Sequence, residues 1–270
     1  MRRTSRWSRM LRELYVAALG MLPQQTRLEL AAHNLANLST AGYKRELLFQ
    51  SALISVEQNL RNVPGDAESA DPPVRSYTDF SPGPLQQTGN PLDLALEGPG
   101  FFVVQDALGQ RFLTRRGSFR LTADGALQTP DGKELVGTSG VLRIPLQLLQ
   151  AQPLPGEARQ AALPLLEVTP EGELRIQGVV VGQLLIVGVQ LSQLRRIDGV
   201  QFAPLPGAVL TPLSAEEYRV RQGFLEGSNV NPVEELVQLI ELQRRFELGH
   251  RVIRSNDATL ERSIELSRFV

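Results

Sequence analysis

The chain has 270 residues and a formal net charge of −1, so nothing in its overall charge calls for nucleic acid or an anionic membrane as partner. It contains no cysteine, which excludes disulfides and thiolate metal sites. Its length suits one large or two small domains.

At the N-terminus, Arg2, Arg3, Arg6, Arg9 and Arg12 precede an apolar run from Leu14 to Leu22 that has the outline of a secretory leader. Glu13 interrupts that run, and Pro23-Gln24-Gln25 follows it without a small-residue cleavage pattern. The same residues fit a helical stripe instead. Leu14, Met21, Leu28 and Leu35 lie seven apart, with Ala17, Ala31 and Leu38 between them. Pro23 should kink this helix, and Ser39-Thr40-Ala41-Gly42 should close it, with Gly42 in the left-handed conformation. A second helix is expected over Leu47 to Asn59. Pro64-Gly65-Asp66 through Asp71-Pro72-Pro73 then reads as a linker.

From Val74 to Arg219 the pattern changes to short strands and turns. Leu92 to Leu96 alternates, and Phe101-Phe102-Val103-Val104 is a compact β run. Arg111 to Thr114 and Ser118 to Leu121 follow, with Asp124-Gly125 and Asp131-Gly132 as turn pairs. A connector rich in Pro and Gln, Pro153 to Pro164, leads to further strands around Leu165 to Leu191, turning at Glu171-Gly172. No apolar stretch reaches the ~18 residues of a membrane-spanning helix.

Asn231 begins the last element. Its side chain suits an N-cap, Pro232 suits the first helical position, and Glu234 and Glu235 favour the positive end of the helix dipole. Leu239, Phe246, Ile253 and Leu260 recur every seven residues, and Leu236, Ile240, Val252 and Ile264 widen the stripe. Such a helix runs about 50 Å at roughly 1.5 Å per residue. That is longer than one small domain needs. The simplest arrangement pairs it with the N-terminal helix, or with the same helices of neighbouring subunits.

Chemistry is weakly represented. His33 and His250 lack a second ligand three or four residues away, so no metal is expected. Glu234 and Glu235 are explained by capping, and Asp93 and Glu97 by a strand and its turn, rather than by acid–base work. Ser118 and Ser228 follow glycines but lack a nucleophile elbow. Gly98, Gly100 and Gly117 read as turn glycines, without a phosphate-loop context. Arg244, Arg245, Arg251 and Arg254 interleave with Glu241 and Glu247 as a solvated face. No enzyme activity and no cofactor are expected. One reading from another class is a monomeric extracytoplasmic binding module with a β domain.

Several blocks resemble the flagellar basal-body rod and hook protein family. They are Met21 to Arg27, Asn34-Leu35-Ala36-Asn37 and Thr40 to Arg45 at one end, and Leu225 to Asn231 with Arg245-Phe246-Glu247 at the other. Leu85 to Thr88, Pro91-Leu92-Asp93, Glu97 to Phe102 and Thr114 to Phe119 lie between them. The resemblance implies an axial structural protein, exported unfolded through the flagellar type III apparatus and polymerised with its own copies and other rod proteins. It implies no nucleic acid, no small-molecule substrate and no direct membrane insertion. Family chains begin near Met10, which makes Met1 to Arg9 an extension or an upstream start. Asn231-Pro232-Val233-Glu234 and Arg244 to Glu247 lean toward the proximal-rod branch, with the distal rod or a rod paralogue as alternative.

The expected fold is α+β: long N- and C-terminal helices forming a coiled coil, carrying a central all-β domain of short antiparallel strands. The expected divisions are an extension (1–9), an N-terminal helical segment (10–60), a linker (61–73), a β domain (74–222) and a C-terminal helical segment (223–270). The expected assembly interface comprises Leu14, Met21, Leu28, Asn34, Leu35, Asn37 and Leu38 from the first arm. Asn229, Asn231, Leu236, Leu239, Phe246, Ile253 and Leu260 supply the second.

Overall fold

The computed structural model describes residues 24–50, 74–145 and 166–268. Leu14, Met21, Pro23, the linker at 61–73 and the connector at 153–164 lie outside them. The chain divides into two compact units. One comprises residues 1–38, 45–79 and 230–270, and the other comprises 39–44 and 80–229.

Among the described residues, every strand pairing of the second unit is antiparallel. Its main sheet has ten strands, with Phe101–Gln105 at the centre between Arg111–Thr114 and Glu134–Gly137. Successive side chains of a strand face opposite sides. Phe102 and Val104 therefore join one apolar cluster with Phe119, Leu135, Leu174 and Ile186. Phe101 and Val103 join another, with Leu113, Val136 and Phe202. This strand is buried on both faces, which is why its sequence is a continuous apolar run rather than an alternating one. The anticipated turn glycines are in place: Gly125, Gly132 and Gly172 have φ of 79°, 83° and 81°. Gly117 serves differently. A Cβ there would meet the Leu94 carbonyl oxygen at 1.5 Å, so the residue is glycine because two backbones touch.

The first unit holds helix α1 (residues 24–36), a two-stranded ribbon and helix α2 (Pro232–Arg268). The ribbon pairs Glu46–Gln50 with Val74–Thr78. It corrects the helix expected from Leu47: residues 47–50 form a strand, and 51–59 lie outside the described residues. A short apolar run such as Leu47-Leu48-Phe49 fits strand and helix equally until its partner is known. The partner strand begins at Val74, where the sequence suggested the central β domain would start, and it belongs to this unit.

The larger correction concerns fold class. The protein is mostly β with two helices among the described residues, and it does not show long N- and C-terminal helices wound as a coiled coil. The described part of α1 has 13 residues against the 37 of α2, about 20 Å against about 55 Å, so a seam along α2's length has no mate there. Leu236, Val237, Ile240 and Leu248 on α2 are exposed. Leu239 and Phe246 are half-buried. A heptad stripe indicates that a helix wants a partner, without indicating that the partner lies in the same chain.

Candidate functional site

Two polar joints, one in each unit, are built on residues from the two ends of the chain. In the helical unit the centre is Asn34, buried on α1. Its Nδ2 donates to the Glu46 carbonyl at 2.9 Å, and the Glu46 N–H donates to its Oδ1 at 3.0 Å. The side-chain amide thus acts as an extra strand partner for the start of the ribbon, satisfying two backbone groups at once. Nδ2 also approaches Glu235 Oε1 at 3.5 Å. That carboxylate is buried and ion-paired to Arg45 Nε at 2.6 Å.

Glu235 therefore does more than favour the helix dipole. It gathers Arg45 and Asn34 at the first turn of α2. The N-cap itself is as expected, since Asn231 Oδ1 accepts from the Val233 N–H at 3.1 Å and α2 begins at Pro232. Beside this joint lies an open groove of about 260 Å³, lined by Leu30, Ala31, Leu47, Leu48 and Leu242 and edged by charged residues including Arg27 and Glu241.

The β unit holds the second joint, and it was not recognised from the sequence. Lys44 and Glu226 are both almost fully buried, and Lys44 Nζ donates to Glu226 Oε1 at 2.6 Å. Nζ also donates to the Ser81 carbonyl at 2.7 Å. Glu226 Oε1 accepts from the Gly83 N–H at 3.0 Å, and its backbone carbonyl accepts from the Gly42 N–H at 2.7 Å. Its second carboxylate oxygen faces Arg115 Nη1 at 3.6 Å. Burial pulls the Arg115 guanidinium down from its usual value, and Glu226 opposes that shift. The Lys44 carbonyl accepts from Arg196, whose guanidinium lies over the Tyr43 ring.

A buried pair of this kind gains little over an apolar pair of equal shape. Removing one member is costly, about 3–5 kcal/mol, because the other is left buried alone. Lysine suits the site because a compact ammonium can serve a carbonyl and a carboxylate in different directions. The composition offered one signal: Lys44 is one of two lysines in a chain whose other cations are nearly all arginine. Nothing in the sequence indicates that its partner lies 182 residues away.

The remaining expected interface residues are dispersed. Asn37 Nδ2 donates to the His33 carbonyl at 2.9 Å, closing the end of α1. Asn229 Nδ2 donates to the Ser81 carbonyl and Oγ at 3.2 and 3.0 Å. Leu28, Leu35 and Leu38 are half-buried. Of Ile253 and Leu260, only the place on the α2 backbone is described. Gly42 is left-handed as expected, with φ of 72°, but it lies six residues beyond the end of α1. Its role is close approach, since a Cβ would meet the Arg116 nitrogen at 2.4 Å. Asp93 accepts from Thr88 and Asn90 within a turn, and Glu97 pairs with Arg221 at 2.7 Å.

Three family models match the chain. Residues 14–44 match "Flagella basal body rod protein", 95–162 match "Flagellar hook protein FlgE/F/G D1 domain", and 221–266 match "Flagellar basal body rod FlgEFG protein C-terminal". Flagellar basal-body rod protein FlgG of Agrobacterium fabrum is 31% identical, over 92% of this chain and 96% of its own. The chain belongs to the flagellar basal-body rod protein family. FlgF of Salmonella typhimurium is 33% identical, over 93% of this chain and 94% of its own. FlgG of Borreliella burgdorferi is 28% identical, over 96% of this chain and all of its own. None of the matching families is a catalytic one. Within this rod-family chain the β-unit joint links two of the matched segments, since the first ends on Lys44 and the last contains Glu226.

Proposed function

We propose that this chain is a structural subunit of the bacterial flagellar basal-body rod, polymerising through its terminal helices into the shaft that transmits torque. The observation that carries this reading is the relationship to rod proteins along almost the whole chain. The apolar residues of α2 that stand in solvent, Leu236, Val237, Ile240 and Leu248, support it. A stripe of that kind on one subunit suits burial against neighbours, and a contact that does not close on itself yields a filament.

Its partners are then further copies of the chain and other rod proteins, and it reaches them through the flagellar export apparatus. Relatives named FlgF and relatives named FlgG are similarly identical to it. The motifs Asn231-Pro232-Val233-Glu234 and Arg244 to Glu247 favour the proximal rod over the distal rod. In the assembled rod, Asn229, Asn231, Leu236, Leu239 and Phe246 line the subunit contacts of the C-terminal arm.

The test is Phe246→Asp, introduced in place of the natural chain. Phe246 is half-buried on α2, outside the residues that make up the β unit, and its ring meets His250 edge-on. The expected result is a non-motile strain without rods whose purified subunit keeps its β circular dichroism. Normal swimming by the variant would refute assembly through this helix.

A further inference from the structure

The chain passes between its two units at residues 38/39, 44/45, 79/80 and 229/230. Three of these four crossings are tied together by one polar cluster, all of it within the β unit. Lys44 is the last residue before one crossing, Ser81 lies just after the next, and Asn229 is the last before the fourth. Lys44 Nζ and Asn229 Nδ2 both donate to the Ser81 carbonyl. Glu226 then binds Lys44 through its side chain, Gly83 through the same oxygen, and Gly42 through its backbone. Glu226, itself on the segment leaving for α2, thus contacts the segment arriving from the first arm and the segment returning from the ribbon.

We infer that the Lys44–Glu226 pair is a closure that fixes the exit points of both terminal arms on the β unit, so that the arms take their assembly geometry only when both ends of the chain are in place. This rests on the rod reading above. The physical reason is asymmetric. A buried ammonium without a counter-ion is far less stable than a solvated one, so residues 40–44 cannot settle into the β unit before Glu226 arrives. Glu226 comes 182 residues later in the chain. Closure therefore waits until the chain between them is in place, and it makes the docking of residues 40–44 conditional on the segment that leads into α2. The pair is thus a positioning device, distinct from the apolar cores that hold the sheet itself together.

The test uses full-length chain carrying Lys44→Met, which keeps the stem and removes the charge. Glu226→Gln serves as a second variant that keeps the shape of the acceptor. Amide hydrogen exchange is read on the purified subunit, and rod formation and swimming in a strain lacking the native chain. In both variants the Gly42 and Gly83 amides should lose protection, exchanging within about tenfold of an unprotected amide. Those of Phe101–Gln105 and Arg111–Thr114 should stay protected, and neither variant should support rods.

Gly42 and Gly83 remaining protected would overturn the inference. So would loss of protection throughout the sheet together with them, which would make the pair an ordinary part of one cooperative core. Open closures that still build working rods would overturn the link to assembly. Failure of the unaltered chain to restore swimming would instead count against the rod reading, and the exchange results would stand apart from it.

Discussion

Replacing Asn34 by Asp and by Ala separates what its amide contributes as a donor from what it contributes by filling space. Alanine removes the two bonds to the Glu46 backbone, 2.9 and 3.0 Å long, and leaves that N–H and C=O without their partner. At about 1 kcal/mol for each bond, the loss is about 2 kcal/mol. Aspartate is nearly the same shape, so a steric argument predicts a milder effect. The electrostatics predict the opposite. An aspartate oxygen in place of Nδ2 faces the Glu46 carbonyl and lies near Glu235 Oε1, which is 3.5 Å from Nδ2 now. Two unit charges at that separation repel by about 5 kcal/mol at an effective dielectric of about 20.

Arg45, 2.6 Å from the same carboxylate, offsets part of that repulsion, and the aspartate variant should still be the less stable of the two. The Glu46 carbonyl and the Glu235 carboxylate both disfavour the ionised form of the new carboxyl. The excess destabilisation is therefore full above its folded-state pKa and fades as pH falls, because the protonated acid can again donate to the Glu46 carbonyl. Urea unfolding of the purified chain, followed through exchange of the Glu46 amide at several pH values, measures all three quantities. An aspartate variant as stable as the alanine variant at neutral pH would refute the reasoning, as would one whose deficit does not shrink in acid.

Two further outcomes follow from the β unit. Tyr218 donates to the Glu171 carbonyl at 3.0 Å, and burial raises the pKa of its phenol, with the Glu171 charge adding to the shift. Its contribution is complete below the unfolded-state pKa of about 10 and is lost as pH rises through the higher folded value. Tyr218→Phe should cost about 1 kcal/mol at neutral pH and flatten the alkaline limb of a stability–pH curve. Gly42→Ala should cost at least about 1–2 kcal/mol for the left-handed backbone alone, with more for moving the Arg116 nitrogen that its Cβ would meet at 2.4 Å. Thermal unfolding reads that loss, and a variant of unchanged stability would contradict the close approach.

What the sequence determined by itself was local or carried by family likeness. The capping run at Asn231-Pro232 marked the start of α2 because an N-cap is a contact between residues two or three apart. Asp124-Gly125, Asp131-Gly132 and Glu171-Gly172 marked turns because only glycine takes positive φ cheaply. The blocks from Met21 to Glu247 pointed to the rod family without any knowledge of geometry. Tertiary structure decided the rest. Leu47 to Gln50 became a strand because Val74 to Thr78 pairs with it, across residues whose order in the chain says nothing of that pairing. The apolar seam of α2 was legible, but the coiled coil drawn from it was not, since periodicity specifies a sticky face and leaves its partner open. Asn34 stood out only through its family-like block; its partner, the Glu46 backbone, depends on the ribbon being there. Lys44 and Glu226 each stood in plain view as single letters. Only the fold brings them to 2.6 Å, because a buried charge is matched by proximity in space and not by position along the chain.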